Sequence, residues 1–340
     1  MNKINRCMFL DADHQFTMRE CEIPIPADDE VLVRIEANGI CGSDIHFYAE
    51  GRLGNFVVTV PYIPGHEAAG TVAGMGSSVK GLSPGEKVVI EPGIPCGRCS
   101  VCLSGRYNLC PSVVFLSAPP VNGTFCDYVC VRQDFVYKVP NEMPLEYAAL
   151  TEPAAVAVHA VNRAGFINGK EGLIFGAGPI GLLTLQAFKA VGGGRTICVD
   201  MMDNRLDLAL SLGADEVINA KSGVEIANLA DVVFETAGSP VTTAQLFTAA
   251  RVGATVVQVG WPAGNEVKMN IADFLDKELN YVGVNRYANA YPAAIRYIND
   301  GRINVKPLIT HTFGFDKTQE AFRYAKENPN QVIKVVVRNE

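Results

Sequence analysis

The sequence predicts a two-domain α/β protein in which a β-rich amino-terminal half precedes a doubly wound parallel sheet. Three observations carry this. Up to about residue 150 the chain shows short β-like runs separated by Gly/Pro turns, and from about residue 154 apolar strands alternate with helical segments. At 340 residues, against roughly 100–200 residues per domain, the chain is long enough for about two domains, each with its own core.

In the first half, Glu30–Ile35, Gly70–Ala73 and Lys87–Ile90 read as strands. Turns are marked by Pro61, Pro64-Gly65, Gly74, Gly76, Pro84-Gly85 and Pro92-Gly93. This pattern predicts an irregular all-β domain with long functional loops. In the second half, Gly172–Phe175 leads into Gly176-Ala-Gly-Pro-Ile-Gly181 and a helix over Leu182–Val191. Arg195–Val199 then precedes a helix over Asn204–Leu212. Further strands follow at Glu216–Asn219, Asp231–Phe234, Ala254–Val259 and Leu279–Val284, with helical stretches near 240–251 and 271–277. Six apolar strands with helical crossovers fit a doubly wound sheet. The spacer between Asn219 and Asp231 is short, so the third crossover is a reduced or absent helix. Beyond residue 285, Tyr291–Asp300 reads as a helix and Val332–Val337 as an apolar run.

Charge excludes one class of partner. The 29 Lys+Arg against 36 Asp+Glu give a net charge of -7 with no long basic run, whereas phosphate binding needs clustered cations, so no nucleic-acid partner is expected. The first ten residues meet Asp11 before an apolar signal core forms, and no run of about 18 uncharged apolar residues follows. A cytoplasmic protein without a membrane partner is the expectation. Hydrophobic residues make up 48% and charged residues 19%, which is ordinary globular usage and too apolar for disorder. Of the 10 cysteines, four fall between positions 96 and 110, and bunched cysteines in a reducing compartment suggest a metal.

Gly176-Ala-Gly178-Pro179-Ile180-Gly181 stands where a strand turns into a helix, and Asp200 follows nineteen residues after Gly181 at the end of the next strand. The glycines permit the tight turn, the approach of a pyrophosphate to the backbone and close helix–sheet packing, while the helix amino terminus faces the phosphates. Asp200 can accept hydrogen bonds from a ribose diol and would repel a 2′-phosphate, which favours NAD over NADP. Arg205 could partly offset that repulsion; its other reading is a solvated charge on a helix face.

Cys96, Cys99, Cys102 and Cys110 have the spacing C-x2-C-x2-C-x7-C. Four thiolates on one ion is the usual arrangement of structural zinc, which leaves no open position for chemistry. Free thiols or an iron–sulfur cluster are the other readings. Cys7, Cys21, Cys126, Cys130 and Cys198 read as small apolar packing residues.

A further group is more dispersed: Cys41-Gly-Ser43-Asp44-Ile-His46, Gly65-His66-Glu67 and Glu152-Pro153. Singly, each has an ordinary structural reading. Together with the glycine motif and the cysteine loop, they resemble the zinc-dependent medium-chain dehydrogenases, nearly end to end. The resemblance implies a GroES-like (chaperonin-10-like) β catalytic domain at 1–153 and 286–340, and a Rossmann NAD-binding domain at 154–285. Finer features are similar to the polyol branch, the sorbitol, xylitol and iditol dehydrogenases. These are Gly51–Phe56, Glu91-Pro92, Arg106–Pro111, Phe115 followed by Pro119-Pro120, Val158-His159, Asn285-Arg286-Tyr287 and Val305–His311.

By that resemblance Cys41, His66 and Glu67 are ligands of a catalytic zinc whose remaining position is open to water, as metal catalysis requires. Glu152 would hold that water or serve as a ligand in another state, so the third protein ligand stays open between Glu67 and Glu152. Asp44 would orient His66 or a neighbouring arginine. Ser43 and His46 would relay the proton of the oxidised hydroxyl by way of the nicotinamide ribose. Arg286 and Tyr287 would contact substrate, and Phe56 and Phe115 would form the apolar wall. His159 and His311 read as packing or surface residues, and His14 carries no signal. Two positions depart from the branch: Phe47 replaces the tyrosine of the mammalian sorbitol enzymes, and Asn285 replaces an aromatic residue. The expected activity is hydride transfer from a secondary hydroxyl of a polyol to NAD, in a homotetramer with one catalytic and one structural zinc per chain. The alternatives are a zinc dehydrogenase of threonine, of a sugar acid such as idonate or of a sugar-alcohol phosphate, and a non-catalytic nucleotide-binding protein.

Overall fold

A computed structural model describes residues 4–264 and 266–339. The chain divides into two compact units, one running to Glu152 and resuming at Leu308, the other spanning Pro153–Pro307.

The first unit is built on the strand Glu30–Gly39, whose Val31, Val33 and Ile35 are almost fully buried. They pack with Ala68, Val72, Val88, Ile90 and Val131 in one apolar cluster, the contiguous core that a domain of this size needs. Antiparallel neighbours flank this strand: Glu67–Met75, Tyr128–Arg132 and the carboxy-terminal Lys334–Arg338. Register decides what these strands bring together. Gly39 lies opposite Glu67 on one side and Val336 on the other, and the Ile40 amide donates to Val335 O at 3.0 Å. Three strand ends thus meet at the point where Cys41 begins the next element. A Cβ on Gly39 would stand 2.0 Å from Glu67 Oε2, so only glycine leaves room for that carboxylate.

The first unit also holds helices that alternation of apolar residues did not predict: Gly42–Glu50, Leu145–Ala149 and Thr318–Glu327. In the first of these only Asp44 and Phe47 are fully buried, while Ile45 and Tyr48 pack partly buried against apolar clusters, so its inward face mixes a carboxylate with apolar residues.

The second unit is a six-stranded, wholly parallel sheet. Its strands lie in the order Glu216–Asn219, Thr196–Asp200, Gly172–Phe175, Ala230–Glu235, Ala250–Gln258, Asn280–Gly283. The chain begins in the middle and reverses direction there, which makes this the Rossmann arrangement with its ligand crevice at the switch point. No helix separates Asn219 from Ala230. Where the sequence places the return to the first domain at 286, the structure keeps 286–307 with the second unit. The segment carries the helix Tyr291–Asn299, whose Tyr291, Ala294, Tyr297 and Ile298 are buried, and Gln186, on the helix Pro179–Ala190, accepts from the Asn304 amide at 2.7 Å.

Just past the strand Lys87–Ile90, Glu91 is 1% exposed and accepts from Tyr107 Oη at 2.8 Å and Tyr137 Oη at 2.9 Å. Burial raises its pKa to about 7 despite both hydroxyls. A carboxyl whose folded pKa exceeds its unfolded value binds the extra proton in the folded state. Its stabilising contribution is complete below about pH 4.5 and is lost as pH rises to about 7, on the order of 3 kcal/mol. Glu91→Gln, which stays neutral, should therefore show a smaller fall in thermal midpoint between pH 5 and pH 8 than the wild type. An unchanged fall would remove Glu91 from the pH dependence.

Candidate metal centres and dinucleotide site

The buried centre of the first unit grows from its capping geometry. Cys41 is the N-cap of the helix Gly42–Glu50 in an extended conformation, and Asp44, one turn on, reaches back so that its Oδ2 accepts from the Cys41 amide at 3.1 Å. Asp44 is fully buried, and its Oδ1 accepts from Ser117 Oγ at 2.8 Å and lies 3.5 Å from His66 Nδ1. His66 and Glu67 enter from the start of the neighbouring strand. The result is a set of Cys41 Sγ, a His66 ring nitrogen and a Glu67 oxygen within 4.8 Å of one another.

Charge explains why this cluster suits a cation. Burial alone would lower the His66 pKa, but Asp44 and Cys41 outweigh it and raise the value well above normal. Burial would raise that of Asp44, but His66, Ser117 and the Cys41 amide bring it below normal. Lys334, 4% exposed, donates to both oxygens of Glu67 at 2.7 and 2.8 Å and to Ile40 O at 3.0 Å. Burial lowers its pKa, while Glu67, Cys41 and Glu152 raise it to a net value above normal. One thiol, one imidazole and one carboxylate form the mixed S/N/O donor set of catalytic zinc, with fewer than four protein ligands. His66 Nδ1 has no hydrogen-bond partner at normal distance, while Asp44 stands just beyond reach of it, the usual outer partner of a metal-bound imidazole. These residues fit zinc. Glu152 is buried in the first turn of the helix Thr151–Arg163, outside the three-residue cluster.

Ser43 and His46 lie on the helix Gly42–Glu50 rather than in a loop; His46 is exposed, and its Nδ1 is 3.1 Å from Glu50 Oε1. Phe115 packs on His66, with ring centroids 5.6 Å apart. Phe56 is 44% exposed in a small hairpin. Ser117 and Lys334 carried no motif: each lies far in sequence from Cys41 and His66 and acts through hydrogen bonds that only the tertiary fold creates, Ser117 from a turn and Lys334 through the sheet register.

The four-cysteine loop forms a second cluster, with all four sulfurs within 4.8 Å. The separations are 3.4 Å for Cys99–Cys102, 3.9 Å for Cys96–Cys102 and 4.0 Å for Cys99–Cys110. Zn–S bonds of about 2.3 Å put the sulfurs of a tetrahedron about 3.8 Å apart. Amides already point at the sulfurs: Cys96 N at Cys110 and Cys102 N at Cys99. The amides of Arg98 and Cys99 bring the Cys96 thiol down to about 6, while desolvation and the neighbouring thiols push Cys102 up to about 12, as crowded sulfurs that titrate together do. These residues fit a closed structural zinc.

In the second unit, Gly176 has φ +92°, and a Cβ on Gly181 would stand 1.8 Å from Gly176 O, so neither position admits a side chain without rearrangement. Gly178 caps the helix Pro179–Ala190 with Pro179 at its first position and Ile180 next, leaving amides free to face a phosphate. Asp200 accepts from the Ala177 amide at 2.7 Å and the Met202 amide at 3.0 Å, which fixes its carboxylate beside the glycine turn. Arg205 approaches the same turn, its Nη1 3.8 Å from where a Gly178 Cβ would be. This loop fits a dinucleotide. Arg286 has φ +55°, and Tyr287 is 2% exposed and packs on Tyr291 with centroids 5.5 Å apart.

Two clusters with different liganding predict different consequences of losing one sulfur. Cys41→Ser should fold with a near-normal thermal midpoint and retain one zinc per chain of two. Cys102→Ser should lose the other zinc and melt several degrees lower. Zinc analysis with calorimetry distinguishes the cases, and equal destabilisation by both changes would contradict the division.

The alcohol dehydrogenase GroES-like domain matches residues 27–141, and the zinc-binding dehydrogenase family matches residues 179–300. Over 325 residues the chain is 41% identical to a sorbitol dehydrogenase of Bacillus subtilis, covering 93% of this chain and 92% of that protein. It is 38% identical over 317 residues to an L-idonate 5-dehydrogenase of Vitis vinifera, covering 89% and 86%. A crystal structure of an Escherichia coli oxidoreductase/dehydrogenase of unknown specificity superimposes with a TM-score of 0.95 at 39% identity, covering 99% of each chain. With its two metal-liganding clusters and its dinucleotide turn, the chain belongs to the zinc-binding alcohol dehydrogenases with a GroES-like catalytic domain and a Rossmann domain.

Proposed function

We propose that the protein oxidises a secondary hydroxyl of a polyol to a ketone, giving a ketose, with NAD as hydride acceptor. The observation that carries the reading is the Cys41, His66 and Glu67 set in a chain 41% identical to a sorbitol dehydrogenase; a nucleotide-binding protein without catalysis would have no use for a metal set with room for a further ligand. When bound, zinc supplies a Lewis acid for the hydroxyl being oxidised and the nicotinamide supplies the hydride acceptor.

The chain's own groups do the rest. Cys41, His66 and Glu67 hold the metal, and Asp44 orients His66. Ser43 and exposed His46, whose Nδ1 stands 3.1 Å from Glu50 Oε1, would relay the hydroxyl proton to solvent, Ser43 giving up its own proton as it accepts the substrate's. Arg286 and Tyr287 recognise the further hydroxyls, since a site built to bind hydroxyls penalises substrates lacking them. Phe115 and Phe56 provide apolar surface. Glu152 would hold the water at the open position of the centre, or serve as a ligand in another state. The proposal extends to a cytoplasmic homotetramer. Support for assembly is the sheet-edge strand Asn280–Gly283, with Tyr281, Leu275 and Ile271 exposed nearby. No helix among the described residues is long and apolar enough to cross a membrane.

A second reading, oxidation of a sugar acid, is favoured by the likeness to L-idonate 5-dehydrogenase. NADH formation with zinc-loaded protein, NAD and a panel of sorbitol, xylitol, iditol, galactitol, threonine and idonate separates the two. Turnover confined to polyols of one C2–C4 configuration is the expected result; turnover of idonate or threonine alone would overturn the polyol reading. For cofactor choice, Asp200→Ala removes the negative charge that faces a 2′-phosphate. It should shift the ratio of kcat/KM for NADP over NAD by about tenfold or more toward NADP, a change of about 1.4 kcal/mol. An unchanged ratio would show that Asp200 does not read the ribose.

A further inference from the structure

We infer that Ser117 is a positioning residue for the catalytic metal, its hydroxyl locking together the two chain segments that carry Cys41 and His66. Ser117 Oγ donates to Asp44 Oδ1 at 2.8 Å and accepts from the Gly65 amide at 2.8 Å. Gly65 immediately precedes His66, and Asp44 holds the Cys41 amide with its other oxygen. One hydroxyl therefore closes a ring that runs from Cys41 through Asp44 and Ser117 to Gly65 and His66. The oxygen of Asp44 that Ser117 engages is also the one 3.5 Å from His66 Nδ1, so the serine fixes the atom toward which the imidazole must turn.

The setting gives these bonds weight. Ser117 is 2% exposed and Asp44 fully buried, which leaves little solvent to replace the hydroxyl if it is removed. A hydrogen bond to a buried charged group is worth more than a neutral one, and its loss leaves the carboxylate underprovided. The backbone adds an independent observation. Ser117 has φ +73°, a conformation that a residue with a side chain adopts at a cost of about 1 kcal/mol or more. Glycine would meet the turn without that cost. Serine at this position is strained in its backbone and fully used in its side chain, the combination expected where the hydroxyl contributes more than the strain removes.

The inference rests on the metal role of Cys41, His66 and Glu67 proposed above. The test follows zinc release from the zinc-loaded enzyme into excess 4-(2-pyridylazo)resorcinol, resolving the catalytic from the structural ion, for wild type, Ser117→Ala, Ser117→Gly and Asp44→Asn. Two ions released per wild-type chain, one of them lost in Cys41→Ser, checks the metal reading separately from Ser117. Both Ser117 variants should release the catalytic zinc about tenfold faster, in the range found when outer partners of metal ligands are changed, with release of the structural zinc unchanged. In the Asp44→Asn background, Ser117→Ala should add little, because the serine acts through that carboxylate. Should the alanine variant not fold, the glycine variant, which relieves the positive φ, carries the same expectation. Wild-type release rates in Ser117→Gly would show that only the backbone turn matters and would overturn the inference. So would equal acceleration of both ions, or multiplicative effects of the Ser117 and Asp44 changes.

Discussion

The buried ion pair between Lys334 and Glu67 is the interaction around which the first unit is organised. It joins the last strand of the chain to the strand that carries His66, across a sequence separation of 267 residues. Lys334 is nearly inaccessible and spends its donors on both oxygens of Glu67 and on Ile40 O. Breaking such a pair by removing one partner leaves an uncompensated charge in a low-dielectric interior, at a cost on the order of 3–5 kcal/mol. Because the Ile40 carbonyl lies one residue before Cys41, the same ammonium group ties the metal-bearing turn to the carboxy-terminal strand. The sheet register, the place of Glu67 and the start of the helix after Cys41 are thus one constraint seen from three sides. Gly39 completes it by leaving the space that the carboxylate fills.

The parts of this arrangement that the sequence made legible are local. The cysteine loop spans fifteen positions, and the glycine turn is contiguous with its strand and helix, so both can be recognised without knowing what packs against them. The doubly wound parallel sheet of the second unit follows from its alternating strands and helices. Even the missing helix between Asn219 and Ala230 was legible, because too few residues lie between the strands. Cys41, His66 and Glu67 were legible only through resemblance, since the fold brings them together from separate strand ends.

What was illegible depends on pairing between distant segments. Lys334 sits in an apolar tail and has no motif, and its role arises only when Val336 pairs with Gly39 and Gly39 with Glu67. Ser117 stands in a loop whose path nothing nearby announces. The helix Gly42–Glu50 is hard to read from its sequence because its packed face mixes the Asp44 carboxylate with Phe47 and the partly buried Ile45 and Tyr48. The segment 286–307 was assigned by analogy of layout, whereas the buried face of its helix Tyr291–Asn299 and the bond from Asn304 to Gln186 place it with the second unit. Local propensity says little where tertiary partners decide.

The two metal-liganding clusters show why one chain solves the same coordination problem in two ways. In the cysteine loop all four donors come from one short segment, amides are preset toward the sulfurs, and closing the loop costs little chain entropy. Such a centre can be completed by thiolates alone, and its closure is what makes it structural. The Cys41, His66 and Glu67 set is assembled from segments held apart by the sheet and braced by Asp44, Ser117 and Lys334. A set braced from outside does not need a fourth protein ligand to hold its shape, so a zinc held there would keep a position open for chemistry. The strain at Ser117 and the buried charges at Asp44, Glu67 and Lys334 are consequences of that choice. Rigidity is supplied by the surrounding protein so that the centre itself can remain incomplete.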